Sequence, residues 1–299
     1  MEKKHLYISA ILFAAFLWAL EGIVLMPRLY NLDAGFVVLI IHLIGFLILN
    51  IFLFKEYKKI KQFNKEDYLF LGLIALFGGA IGTLAIVKAL FLVNFQHLSV
   101  VVLIQKLQPL FAIILAIIIL KEKAKKQFWL WATLAVLATY PLTFGFHLPN
   151  FSTGANTIQA ALYALLAAFA FGSATVFGRK MATKYNFKTL TFYRFGFTSL
   201  IMLIYVSLLG KFQFATASST NWLILILIPL ITGLGGMMFY YYGLKHVKAI
   251  TSTICELFFP FSAVILDYFI NGSVLSVPQW LGAIVLVGAI FKISLIQNK

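Results

Sequence analysis

The sequence predicts an all-α integral membrane protein whose ten transmembrane helices form two inverted five-helix repeats. Three observations carry that expectation. The 299 residues are 62% hydrophobic and 11% charged, with a mean hydropathy of +0.98, which ordinary soluble domains do not sustain. One offset of 151 residues aligns the halves, pairing Gly82 with Gly233, Pro109 with Pro260, Ala112 with Ala263 and Trp129 with Trp280. Lysine and arginine fall almost wholly in alternate connections, nineteen against two.

About 20 apolar residues rising ~1.5 Å each cross a hydrocarbon core. The first such run, 6–26, follows Lys3 and Lys4 as a signal peptide would. It is too long for one and lacks an A-x-A-like cleavage site, so it reads as a retained span. The next, 34–54, ends at the lysines of 55–65. Spans 68–92 and 99–120 are divided by a turn at Asn94-Phe95-Gln96-His97, the least sharply marked boundary in the chain. Span 127–146 opens after the lysines of 121–126. A link at 147–156, holding Pro149 and Gly154, separates a first repeat (1–146) from a second (157–299). The second repeat holds spans 157–177, 188–209, 222–244, 250–270 and 276–296.

Orientation follows from the basic residues. With the N-terminus inside, the inner connections hold Lys3 and Lys4, five lysines in 55–65, four in 121–126, and Arg179, Lys180, Lys184 and Lys188. Lys245, Lys248, Lys292 and Lys299 complete the nineteen, while the outer connections hold only Arg28 and Lys211. Both termini are therefore expected in the cytoplasm of a cell (plasma or inner) membrane. Five spans per half is an odd number, so the second copy enters from the opposite side.

Several function classes are excluded. The net charge of +15 lies in short loops between apolar runs, which gives no nucleic-acid surface. Cys255 is the only cysteine, so no intramolecular disulfide forms, and it reads as a small packing residue. No Cys/His cluster has metal-ligand spacing, and no cofactor is expected. There is no phosphate-binding loop, so ATP is not the direct energy source. No serine–histidine pair, H-E-x-x-H or carboxylate pair within one span supports a membrane enzyme.

Both repeats carry a proline in a polar stretch. The first copy runs Gln105-Lys106-Leu107-Gln108-Pro109, and the second Glu256-Leu257-Phe258-Phe259-Pro260. Proline frees the carbonyl one turn earlier, so Gln105 and Glu256, each four residues before a proline, mark a candidate central site. Interrupted helices at equivalent places in two repeats point to the binding site of a secondary transporter. A kink that only improves packing is the plainer alternative.

The chain resembles the drug/metabolite transporter superfamily, in its ten-helix EamA-type branch, along nearly its whole length. The resemblance rests on Leu103-x3-Leu107-x-Pro109-x2-Ala112 running to Leu120-Lys121-Glu122, on Pro260-x2-Ala263, and on the openings Gln127-x-Trp129 and Gln279-Trp280-Leu281-Gly282-Ala283. Two positions depart from it. Ser273 stands where an acidic residue is expected opposite Glu122, and His42 where an arginine is common, although Arg194 keeps that arginine in the second half. The resemblance implies transport of an amino acid or related metabolite, commonly export.

Ionisable residues inside a span face protein or water. Depth places Glu21, His42, Lys88 and Lys106 in the outer half, and Arg194 and Glu256 in the inner third. Lys106 is expected to bind solute or to pair with Glu21. Lys88 fits either the cavity or the outer interface, Arg194 snorkels inward, and Asp267 ends its helix at the interface. Glu256, His42 and Glu21 are the proton-coupling candidates, since each gains or loses a proton readily when its surroundings change. Histidine in a span also serves as a packed hydrogen-bond donor.

Gln105, Lys106, Gln108 and Pro109 share one helical sector, as do Ser252, Thr253, Glu256, Phe259 and Pro260. Aromatic walls are expected from Trp18, Tyr193 and, among Tyr240–Tyr242, from Tyr240, which shares a face with Gly233 and Gly236. The solute-binding set is thus Trp18, Glu21, Gln105, Lys106, Gln108, Tyr193, Arg194, Tyr240 and Glu256. Trp129, Trp131, Trp222 and Trp280 read as interfacial anchors. The leading expectation is a secondary transporter of a small carboxylate or zwitterion, with the lipid bilayer and H+ as further partners, as a monomer or homodimer. An exchanger of phosphorylated or nucleotide-type solutes, and a non-transporting scaffold or sensor, are the alternatives.

Overall fold

The computed structural model describes residues 2–94, 98–148, 155–272 and 274–296. Most of the expected link (149–154), Phe95-Gln96-His97 of the expected turn, Ser273 and Lys299 lie outside the described residues. The described helices are α1 (His5–Leu29), α2 (Ala34–Gln62), α3 (Lys65–Leu92), α4 (Val101–Ile119) and α5 (Lys126–Phe144). The second half holds α6 (Asn156–Lys184), α7 (Phe187–Leu209), α8 (Ser219–Leu244), α9 (Ala249–Ile270) and α10 (Val277–Ile296).

Nine of these are long and apolar enough to cross a membrane by length and composition. The fifth, α5, is as long but diluted by Gln127, Thr133, Thr139, Tyr140, Pro141 and Thr143. Two helices outrun expectation. In α2 the last nine residues, Phe54–Gln62, tighten into a 3-10 helix that carries lysines past the apolar run. In α6 the helix continues through Arg179 and Lys180 to Lys184. Both extensions are amphipathic ends, which an apolar window does not see.

Polar side chains set the helix starts, where backbone N–H groups lack partners. The Asp33 carboxylate accepts from the Gly35 and Phe36 N–H groups at 2.8 and 3.3 Å. The same carboxylate lies 2.9 Å from Lys211 Nζ and holds that ammonium above its ordinary pKa. Capping boxes open α3 (Asn64 with Asp67) and α8 (Ser218 with Asn221). Gly210 and Gly272 end α7 and α9 in the left-handed conformation, with φ of +63° and +71°.

The packing repeats itself about a pseudo-two-fold. Helices α2 and α7 pair with each other, as do α5 and α10; α3 packs on α6 as α8 packs on α1, and α4 on α6 as α9 on α1. Close approach of α10 to α5 depends on Gly282, where a Cβ would lie 2.6 Å from the Leu142 nitrogen. Outward-facing apolar side chains such as Ile51, Phe52, Leu137, Leu162, Leu208 and Ile284 stay exposed, the surface that lipid covers. Trp129 and Trp280 are exposed at span ends, whereas Trp222 stacks on Phe214 at 6.2 Å.

Three helices widen into π-helical turns at Glu21–Leu25, Ile74–Ile81 and Pro229–Gly235. The stretches in α3 and α8 overlap under the repeat offset. The one in α1 has no counterpart in the uninterrupted α6.

Candidate functional site

Both proline-bearing helices break where expected. Lys106 and Leu107 leave the helix in α4, and Glu256 and Leu257 in α9. The chain tightens there: Leu107 N–H donates to Ile104 O at 3.0 Å, and Leu257 N–H to Ile254 O at 3.1 Å. The carbonyl that Pro260 releases, Glu256 O, is retaken by the Phe259 N–H at 3.0 Å. At Glu256, then, the side chain and not the backbone faces the site.

Between the halves lies a cavity of about 560 Å³ that reaches the end of the bundle where α1 and α5 finish and α10 begins. Of the nine residues expected to bind solute, Trp18, Glu21, Gln105, Lys106, Gln108, Arg194, Tyr240 and Glu256 line it, as do His42, Pro109 and Pro260. Tyr193 does not. One residue from Arg194 is 100° of helix, which turns Tyr193 against Phe63 and lets its hydroxyl donate to Glu56 O at 2.8 Å.

Glu256 is the hub. Gln108 Nε2 donates to its Oε2 at 2.7 Å, while its Oε1 accepts from Tyr240 Oη at 2.9 Å, Ser252 Oγ at 3.2 Å and Thr175 Oγ1 at 3.5 Å. One carboxylate thus ties α4, α6, α8 and α9 together. Trp18 rests on Tyr240 with ring centroids 5.2 Å apart. Gly236 permits this, since a Cβ there would lie 2.9 Å from Trp18 Nε1. The other two tyrosines turn away: Tyr241 bonds Arg194, and Tyr242 packs on Tyr7.

The expected Glu21–Lys106 pair is not formed. Lys106 Nζ sits 5.8 Å from the Phe259 ring centroid, and among the described residues no carboxylate lies within ion-pair distance of it. Equal depth put the two on one level, but α1 and α4 are separated there by the cavity. Arg194 is buried and does not snorkel. Its Nη2 donates to Gly78 O at 2.7 Å and its Nη1 to Tyr241 Oη at 3.2 Å. Gly78 lies in the π-turn of α3, whose widened spacing leaves carbonyls for α7 to take; Thr198 bonds Ala75 O at 3.2 Å in the same way.

His42 is a packed hydrogen-bond donor, its Nδ1–H donating to Val38 O at 2.9 Å. Lys88 stays out of the cavity, bonding Tyr205 Oη at 2.9 Å between the rings of Tyr163 and Tyr205. Asp267 lines the cavity mouth rather than ending its helix, which runs on to Asn271.

The opposite end is closed. Glu122, beyond α4, accepts from the Ala249 and Ile250 N–H groups at 2.9 and 3.1 Å. Arg179 Nε stands 3.9 Å from Glu122, and its Nη1 donates to Leu244 O at 2.7 Å. Lys248 Nζ donates to Lys123 O at 2.9 Å.

Sequence reasoning missed Thr175, Thr232 and Gln279 as lining residues. Hydroxyls in otherwise apolar runs of α6 and α8 were the signal for the first two. Thr253 Oγ1 and Arg194 Nε are buried beside the cavity without a hydrogen-bond partner among the described residues. Polar groups left so are uncommon and belong with functional sites.

A sequence model of the EamA-like transporter family matches residues 5–144 and again 158–295. Over 283 residues, 94% of this chain and 95% of the relative, the sequence is 50% identical to the riboflavin transporter ImpX of Fusobacterium nucleatum subsp. nucleatum. A solved crystal structure aligns with 98% of this chain and 99% of its own at a TM-score of 0.71 and 13% identity, a likeness of fold.

Proposed function

The chain belongs to the EamA-like transporter family and is a multi-pass membrane transporter of a small solute, not an enzyme, and we propose that this solute is a flavin of the riboflavin class rather than an amino acid. The observation that carries the reading is the cavity itself. Its 560 Å³ falls within the ~300–1,000 Å³ of drug-sized sites. Its walls are apolar and aromatic, with Trp18, Phe171, Phe195, Tyr240 and Phe259 beside a few convergent polar groups. A flat heteroaromatic ring stacks on such walls, and a free amino acid would leave most of them uncovered. The name of the 50%-identical relative agrees.

A phosphorylated solute fits less well, because it needs several free cations at one depth. Arg194 is already engaged by Gly78 and Tyr241, which leaves Lys106.

In this reading both termini are cytoplasmic, the protein lies in the plasma membrane, the mouth beside Asp267 opens outward, and the Glu122 contacts close the inner end. The halves rock about the Glu256 hub, and a proton on Glu256 couples the movement. Titration of riboflavin into purified protein tests the reading. Saturable quenching of tryptophan emission with a micromolar Kd, ~8 kcal/mol of binding, is expected, with most of the quench lost in Trp18→Phe. Counterflow of labelled riboflavin in proteoliposomes should follow, and the sign of the gradient that drives accumulation gives the direction. Absence of riboflavin binding, with an amino acid stabilising the protein instead, would restore the zwitterion reading.

A further inference from the structure

Nine residues, Phe54–Gln62, end α2 as a 3-10 helix at the closed end of the bundle, opposite the cavity mouth. Runs longer than about four residues are uncommon in this winding, which lines up side chains at every third position. The sequence repeats with the same period. Phe54, Tyr57 and Ile60 make an apolar row, and Lys55, Lys58 and Lys61 a basic row beside it. All six side chains are exposed. Wound as an α-helix, the three lysines would instead fan across about 120°.

The third row begins with Glu56 and Lys59, which turn to the protein. Glu56 is buried, 2.8 Å from Lys59 Nζ, and accepts from the Thr189 hydroxyl at 2.7 Å. Both ends of the segment meet one side chain. Tyr193 Oη donates to Glu56 O at 2.8 Å, and its ring meets that of Phe63 edge-on at 4.8 Å. The segment therefore lies across the foot of α7 and does not run on out of the bundle.

Its one acid is thus turned inward. Lys55, Lys58 and Lys61 have no carboxylate within ion-pair distance among the described residues. The apolar row continues the lipid-facing surface of Ile51 and Phe52. The repeat offset gives 205–213 as the equivalent stretch, and its single basic residue, Lys211, is taken by Asp33. The two rows are therefore peculiar to the closed end and are not imposed by the repeat.

An exposed apolar row beside an exposed basic row, where a span ends, matches the boundary between acyl chains and anionic headgroups. A soluble anion offers nothing to the apolar row, and a neutral lipid offers no net charge to the lysines. We propose that Phe54–Gln62 is a binding site for anionic phospholipid. Phe54, Tyr57 and Ile60 rest among the acyl chains, and Lys55, Lys58 and Lys61 hold the headgroup phosphates. The site does not depend on which solute the cavity takes.

Equilibrium retention of phosphatidylglycerol and phosphatidylcholine by the purified full-length chain in neutral detergent tests it, read by mass spectrometry of the intact complex. Phosphatidylglycerol should be held about fivefold more tightly or better. Lys55→Gln, Lys58→Gln and Lys61→Gln together should remove most of that preference, and arginine at the same three positions should keep it. Lys123→Gln, Lys125→Gln and Lys126→Gln together lower the net charge equally and should leave the preference intact. Ile60→Ser, with every lysine in place, should also weaken retention. The site is overturned if the first glutamine variant keeps the preference, or if both glutamine variants lose it equally, since net charge alone would then attract the lipid. It is overturned as well if Ile60→Ser has no effect and inorganic phosphate displaces the lipid, since the apolar row would then play no part.

Discussion

Gln108 and Glu256 meet across the pseudo-two-fold, Nε2 to Oε2 at 2.7 Å, and no other side-chain hydrogen bond among the described residues joins the two broken helices directly. It links α4 of one repeat to α9 of the other at the floor of the cavity. Whatever moves one broken helix relative to the other must stretch or remake this bond.

Glu256→Gln is the first test of that hub. The amide keeps one acceptor oxygen but points an NH₂ at some of the four donors that now converge on the carboxylate. Proton-gradient-driven accumulation of solute should disappear while solute exchange, which needs no net proton movement, persists. Accumulation like the parent's would make Glu256 a structural acid and leave His42 or Glu21 to carry coupling.

Lys106→Met separates binding from stability. Since no carboxylate among the described residues partners Lys106, removing its charge strands no buried anion among them, and the usual cost of breaking a buried pair, about 3–5 kcal/mol, does not arise. Thermal unfolding in detergent should stay at or above the parent value, while solute affinity falls about tenfold or more. A large drop in stability would reveal a counter-charge.

Gly79→Ala addresses the contact between α3 and α7. A Cβ at Gly79 would collide with the Thr198 side chain. Overpacking of this kind costs about 1–3 kcal/mol, so a lowered melting temperature is expected. Thr198→Ala in the same chain should recover part of it, since the truncated side chain clears the space.

At the closed end, Glu122→Ala takes away the acceptor for the first two N–H groups of α9. Cys255, fully buried one and a half turns along the same helix, reports on the result. A small maleimide should alkylate it several times faster in the variant, and Glu122→Asp should fall between. Equal rates would mean that Glu122 does not hold this end shut.

Topology is checked in a Cys255→Ser background with single cysteines at Leu148 and Lys61, both exposed. In intact cells an impermeant reagent should label position 148 and spare 61. The reverse pattern would falsify the cytoplasmic placement of the termini.

Much of this architecture was readable beforehand, for physical reasons. Apolar length marks spans, and prolines with glutamine or glutamate one turn earlier mark the breaks, because these features act through the local chain. What escaped depends on how helices face one another. Gln105 and Glu256 are repeat mates, yet it is Gln108 that reaches Glu256, and the breaks at Lys106–Leu107 and Glu256–Leu257 lie one residue out of register with the offset. Depth put Glu21 level with Lys106 but was silent about the cavity between them. Arg194 seemed able to reach water, but the carbonyl of Gly78 that claims it lies in the π-turn of α3, and a π-turn has no dependable signature in a single sequence.

That widening makes the length of α3 a quantity counted in single residues. A π-turn holds one residue more than an α-turn, so deleting any residue within Ile74–Ile81 would let the helix close up. Everything beyond would then keep its face, because one wide turn becomes one ordinary turn. Thr83, Ile86 and Val87 would go on lining the cavity, whereas the carbonyl that Arg194 grips would be drawn back into the helix. The same arithmetic governs Pro229–Gly235 of α8. A residue deleted from an α-helical stretch of either helix meets no such slack and would turn everything beyond it by about 100°.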